Sequence, residues 1–166
     1  MNLTLCRDFI YHLHREGIVN AGGAPQHVRQ WFESLELPSD LLCLMRSAWP
    51  QTDCKVAHIR LRSSTSIYAE ENTPFTKNKF LYIGSAPNGD MLVIDYSTGG
   101  CAPGFITHEE WNPWCDEPED PRHFFEPIAP TFDSFLFRVV EHRYLPMDYY
   151  AAREFNQLLA RESGNA

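Results

Sequence analysis

Basic residues are scarce in this chain, with 14 Lys and Arg against 22 Asp and Glu among 166 residues and a formal net charge of −8. Binding to nucleic acids or to anionic membranes depends on a basic surface. The nearest candidate is the pair Arg60 and Arg62, which is too small to form one. We therefore expect neither a nucleic-acid partner nor a membrane partner, and a basic protein is the better electrostatic match.

Long apolar runs and paired cysteines are also missing. No segment approaches the ~20 apolar residues of a membrane span, and no apolar stretch typical of a secretory signal is present. The cysteines are odd in number and include no C-x-x-C pair, which disfavours a structural zinc site. They are Cys6, Cys43, Cys54, Cys101 and Cys115. We expect free thiols in a reducing compartment, and hence a cytoplasmic protein.

The motifs of common catalytic sites are absent as well. No G-x-S-x-G elbow, Walker loop or dinucleotide fingerprint occurs, and His108 is followed by Glu-Glu without the H-E-x-x-H spacing of a zinc protease. His12 and His14 lie two residues apart on a predicted helix, so they do not share a face. Cys101 with His108 is a conceivable nucleophile pair, but a structural thiol is the preferred interpretation. We expect no enzymatic activity, no cofactor and no metal.

The most informative segment is 79–96, in which two short apolar runs flank a turn. The runs Phe80–Ile83 and Met91–Tyr96 are rich in aromatic and β-branched residues, and Pro87-Asn88-Gly89-Asp90 between them is typical of a turn. This pattern predicts a central β-hairpin with Leu92 and Ile94 on one face and Met91 and Val93 on the other. The turn residues themselves have a conformational interpretation that we prefer to a binding role.

The rest of the chain follows the order helices, strands, helices. Apolar spacing predicts helices at 3–16, 26–35, 41–48, 132–143 and 147–161. Alternation predicts a strand through Val56–Arg62, with further strands at Ile67–Ala69 and Gly104–Thr107. We therefore predict a single α+β domain over residues 1–166. Its helices occupy about 3–48 and 132–161, and an antiparallel-rich sheet at about 55–107 is followed by an acidic loop at about 109–130.

The acidic loop contains most of the excess charge. From Glu109 to Asp133 the chain has eight acids and one base, Arg122, a segment charge of −7. Tryptophan is favoured in interface anchors, and acidic charge accelerates association with a basic partner. The predicted partner-binding residues are Trp111, Trp114, Asp116, Glu117, Glu119 and Asp120. The alternative is a solvated loop whose tryptophans fold back over the core.

Three segments in this order resemble the SUKH superfamily, which includes fungal cell-wall regulators and many bacterial immunity proteins. They are L-P-S-D-L-L at 37–42, the glycine- and aspartate-containing hairpin at 82–95, and I-A-P-T-F-D-S-F-L at 128–136. The chain differs from the family at Trp49-Pro50-Gln51, where a glycine-containing turn is common. The resemblance implies a sheet packed by helices and a non-enzymatic role, commonly the neutralisation of a toxin.

The sequence thus favours a protein-binding module, an immunity protein that docks on a basic toxin domain such as a nuclease. A small-ligand-binding or scaffold regulatory protein of the same fold is the alternative. A third hypothesis is an enzyme with a thiol or metal centre.

Overall fold

The computed structural model describes residues 3–18, 23–113 and 119–163, and within them the chain forms an α+β domain. Its helices are α1 (Leu3–Arg15), α2 (Gln26–Ser34), α3 (Ser39–Ser47), α4 (Ser64–Tyr68), α5 (Pro74–Lys77), α6 (Phe132–Val140) and α7 (Tyr149–Ser163). Its strands are β1 (Cys54–Val56), β2 (Ile59–Leu61), β3 (Phe80–Ser85), β4 (Met91–Asp95), β5 (Ala102–Ile106) and β6 (Phe125–Pro127). The predicted fold class is confirmed.

The strands form a six-stranded antiparallel meander in the order β1-β2-β3-β4-β5-β6. The predicted central hairpin is present as β3 and β4, joined by residues 86–90. Its turn is closed by Ala86, whose N–H donates to the backbone oxygen of Asp90 at 2.8 Å. Gly89, within the turn, has φ +102°. A left-handed residue is needed at this position, which explains the glycine.

Apolar side chains cover both faces of the sheet. Leu92 and Ile94 point into the large core shared with the helices, while Met91 and Val93 point into a smaller cluster on the opposite face, as the alternation predicts. We define the small cluster as the buried residues Phe75, Phe80, Met91, Val93, Ile106 and Trp111. Burying each of these large side chains stabilises the fold by about 1.5–3 kcal/mol.

Two of the strand predictions are wrong. Val56–Arg62 is a tight hairpin, because Ala57 turns the chain at φ +54° and lets Val56 pair with Ile59. Ile67–Ala69 lies in and just after α4, which begins where the Ser63 hydroxyl accepts from the Ser66 N–H at 3.1 Å. This N-cap satisfies a free donor of the first helical turn and favours a helix there over a strand.

The terminal helices agree with the sequence to within a few residues. Thr131 caps α6 as predicted, accepting from the Ser134 N–H at 3.1 Å. α6 ends at Val140 rather than at residue 143, and His142 then adopts φ +49°. The predicted acidic loop is more ordered than expected, since it contains a 3₁₀ helix, Pro121–Phe124, and the edge strand β6.

Candidate protein-binding surface

Five of the six predicted binding residues either are exposed or lie outside the described part of the chain, and the sixth is the buried Trp111. Glu119 and Asp120 lie at the start of the 3₁₀ helix and are exposed, whereas Trp114, Asp116 and Glu117 lie outside the described residues. On the other side of that gap, the turn after β5 exposes two more carboxylates, Glu109 and Glu110.

Trp111 is buried, contrary to the prediction that it presents its ring to a partner. Only 3% of its surface is exposed, and its ring meets Phe75 edge-on at 5.1 Å between centroids. Its Nε1–H donates to the backbone oxygen of Glu119 at 2.8 Å. The indole thus completes the small cluster and satisfies its polar atom internally, which is the alternative that the sequence left open.

This contact brings two parts of the acidic segment close together along the backbone. Glu110 precedes Trp111 in the chain, and the backbone oxygen of Glu119 accepts the indole hydrogen bond, so the backbone at Glu119 lies against the ring of the residue that follows Glu110. We define the acidic surface as Glu109, Glu110, Glu119 and Asp120, all exposed.

Arg122, the base of the acidic segment, is directed towards the body of the protein. Its Nη2 donates to the Asn78 oxygen at 2.6 Å, and its guanidinium lies 5.1 Å from the centre of the Phe80 ring. Its Nη1 also lies 3.5 Å from Asp120. Arg122 therefore offsets part of the Asp120 charge, while Glu110 and Glu119 form no ion pair with a described residue.

A buried carboxylate positions the turn that carries Glu109 and Glu110. Asp90 has no exposed surface, and its Oδ1 accepts from the backbone N–H of His108 at 3.2 Å and from His108 Nδ1 at 2.8 Å. Its Oδ2 accepts from Asn88 Nδ2 and from the Tyr149 N–H, both at 2.9 Å. One side chain therefore joins the β3–β4 turn, the end of β5 and the start of α7.

Hydrogen bonding decides the charge state of Asp90. Burial raises the pKa of a carboxyl group, but the hydrogen bonds from Asn88, Tyr149 and His108 outweigh burial and hold the pKa of Asp90 below its usual value. Asp90 is therefore charged, and its hydrogen bonds join three segments of the chain. The sequence identified the turn residues, but not the two distant partners.

Neither of the catalytic alternatives finds support in the geometry. Cys101 and His108 stand at opposite ends of the five-residue strand β5, about 16 Å apart or more at ~3.3 Å per residue. Burial raises the pKa of Cys101 to about 11, and His108 is bonded to Asp90. Within the described residues no group of three or more His, Cys, Asp or Glu side chains is placed to hold a metal.

The cysteines in the described part of the chain are free thiols, as predicted. No helix among the described residues has the length and apolar character needed to cross a bilayer.

Comparisons with protein-family models, with curated proteins and with solved structures returned no match.

Proposed function

We propose that this protein acts by binding another protein through the acidic surface. The observation that carries the proposal is a set of exposed carboxylates on backbone segments that internal hydrogen bonds hold in place. Asp90 binds His108, the residue before Glu109, and the Trp111 indole binds the backbone oxygen of Glu119. Such preorganisation lowers the entropic cost of forming an interface.

Electrostatics specifies the chemistry of the partner. Exposed carboxylates on a chain of net charge −8 attract a basic surface over about a Debye length, ~8 Å at physiological ionic strength. Charge of this kind mainly raises the association rate and rejects acidic competitors. The tight contacts of the interface then come from neighbouring apolar groups. Tyr150, 43% exposed, is one such group, and its hydroxyl donates to Glu109 Oε2 at 3.0 Å.

The resemblance to the SUKH superfamily suggests a more specific role. In that reading the protein is a cytoplasmic immunity protein, and the partner is a basic toxin domain such as a nuclease. Docking of the acidic surface over the toxin's substrate channel inhibits it without any reactive group from this chain. A gene for a large secreted toxin beside the gene for this protein would support this role.

The proposal is tested by affinity capture followed by kinetics on the captured partner. The variant Glu109→Gln, Glu110→Gln, Glu119→Gln, Asp120→Asn should bind at least about tenfold more slowly than wild type and with a weaker salt dependence. A control variant removes the same charge from exposed acids elsewhere and should bind like wild type. Its substitutions are Glu16→Gln, Glu33→Gln, Glu36→Gln and Glu141→Gln.

Two results would overturn the proposal. One is the absence of any specific protein partner from a native lysate over a range of salt concentrations. The other is equal binding by the two variants, which would remove the acidic surface from the interface.

A further inference from the structure

A groove of about 720 Å³ lies on a different part of the molecule, where the end of α1, the β1–β2 turn and the segment after α6 meet. Its acidic and basic lining residues are His12, Glu16, Lys55, His58, His142 and Arg143. The volume falls within the ~300–1,000 Å³ of small-ligand sites. None of these residues belongs to the acidic surface.

The charge of this groove is opposite to that of the chain as a whole. Lys55 and Arg143 are exposed, and neither forms an ion pair with a described residue. The Glu16 carboxylate, in contrast, lies 3.8 Å from Arg15. Lys55 also stands directly opposite Arg60 in the β1–β2 pair, and Arg60 lies 3.4 Å from Asp53, which offsets part of the repulsion between the two bases. Lys55 and Arg143 therefore outnumber Glu16, the one carboxylate among the residues that line the groove.

The histidines hold the walls of the groove in place. A carbonyl oxygen only accepts, so His58 Nε2 donates to the Pro146 oxygen at 2.9 Å and ties the β1–β2 turn to the opposite wall. Arg15 Nη2 donates to His142 Nε2 at 3.2 Å and ties α1 to the same wall. His12 lies 5.1 Å from His142 between ring centres. Burial, with the neighbouring His142, lowers the pKa of His12 and so favours its neutral imidazole.

The backbone around the groove is unusual. Ala57 at φ +54° and His142 at φ +49° both line it, and both are non-glycine residues in the left-handed region. Such a conformation is unfavourable for a residue with a side chain, and strained positions cluster at ligand sites. Tyr144 and Met147 complete the lining with exposed apolar surface, 59% and 55% exposed.

We propose that this groove binds a small organic anion. Lys55 and Arg143 bind its phosphate or carboxylate group, and the apolar part of the ligand packs against Tyr144 and Met147. The volume of the groove matches a free small molecule, whereas the acidic side chains of a protein would offer the same charged groups. This site is independent of the acidic surface and holds whether or not a protein docks there.

The test is a titration of ¹⁵N-labelled protein, followed by NMR, with inorganic pyrophosphate and with phenyl phosphate. We expect saturable shifts confined to residues 55–58 and 142–147, with tighter binding of phenyl phosphate. The variant Lys55→Gln, Arg143→Gln should lose about tenfold or more in affinity for both probes. The matched control is Arg29→Gln, Lys77→Gln, which removes the same charge from exposed positions outside the groove and should bind like wild type.

Two further arms separate the parts of the proposal. Tyr144→Ala should weaken phenyl phosphate but not pyrophosphate, and an equal effect on both probes would overturn the apolar contact. Hexaglutamate is the probe for an acidic peptide, and tighter binding of hexaglutamate than of both small anions would overturn the small-molecule assignment. Unsaturable shifts, or equal losses in the two charge variants, would overturn the site altogether.

Discussion

The ring of Phe125 lies over Gly104 and fills the space that a side chain at position 104 would occupy. The same ring packs against Phe80 at 5.2 Å between centroids. A Cβ at position 104 would also lie 2.5 Å from the backbone oxygen of Glu126. The edge strand β6 can therefore pair with β5 because residue 104 is a glycine.

Gly104→Ala should lower the free energy of unfolding by about 2–3 kcal/mol, because backbone atoms of β6 must move to admit the methyl group. Urea unfolding followed by circular dichroism measures the change. Gly99→Ala is the matched control, since a Cβ there meets no atom within 4 Å, and it should alter stability by about 0.5 kcal/mol or less. Equal effects at the two glycines would contradict the packing described here.

Phe125→Leu should reduce the cost of Gly104→Ala, because the smaller side chain leaves room for part of the methyl group. A double-mutant cycle on unfolding free energies should give a coupling energy of about 0.5–2 kcal/mol. Strict additivity would show that the ring and the glycine do not constrain each other.

Asp90→Asn should destabilise the protein by about 3 kcal/mol. The amide NH₂ group would face donors that now point at a carboxylate oxygen, leaving buried N–H groups without an acceptor. Urea unfolding at neutral pH measures this loss. Asp8→Asn, at an exposed pair with Arg7, should change stability by about 0.5 kcal/mol or less. A stable Asp90→Asn variant would refute the role of Asp90 as a tie between segments.

Acid should remove the contribution of Asp90. A carboxyl group with a lowered folded pKa contributes its stability fully above the unfolded value of ~3.9 and loses it as the pH falls through the folded value. The wild-type unfolding free energy should therefore decrease more steeply than that of Asp90→Asn on acidification below about pH 4. Unfolding curves at a series of pH values give the two slopes, and parallel slopes would contradict the lowered pKa.

Trp111→Phe should loosen the segment that follows Glu119. It removes the indole donor to the Glu119 oxygen, at a cost of about 1–2 kcal/mol, and should speed amide exchange at Arg122 and His123, which both donate to Asp120. Trp31→Phe is the control, because Trp31 packs beside the large core and its loss should leave those two amides unchanged. Unaltered exchange in Trp111→Phe would mean that the indole does not position the acidic surface.

The thiols should differ sharply in reactivity. Burial raises the pKa of Cys6, Cys54 and Cys101 to about 11, from the ordinary value of 9.0. At neutral pH the thiolate fraction of each is therefore about a hundredfold lower than for an ordinary cysteine. Cys43 is exposed on α3. In a Cys115→Ser variant, N-ethylmaleimide should add once, at Cys43, as read by peptide mass spectrometry, with the others reacting only in urea. Fast labelling of Cys101 in the folded protein would contradict its burial.

Local patterns predicted the elements whose partners are close in the chain. The period-two alternation of Met91–Ile94 assigned each side chain to the correct face, and the Thr131 cap marked the start of α6. The hairpin at Ala57 could not be predicted, because the residue in the left-handed conformation is an alanine. A glycine or an asparagine at that position would have indicated a turn. The strand β6 could not be predicted for another reason. The need for a glycine at position 104 arises from its contact with Phe125 and Glu126, which exists only when β5 and β6 are paired.

The sequence by itself determined the α+β class, the antiparallel hairpin at the centre and the concentration of acid after residue 108, because composition, periodicity and turn chemistry are local properties. The tertiary structure decided what those residues do. It buried Trp111 and joined its N–H to the backbone oxygen of Glu119, and it collected donors from three segments around Asp90. Such contacts join residues far apart in the chain, and their energies depend on burial, which no local pattern encodes.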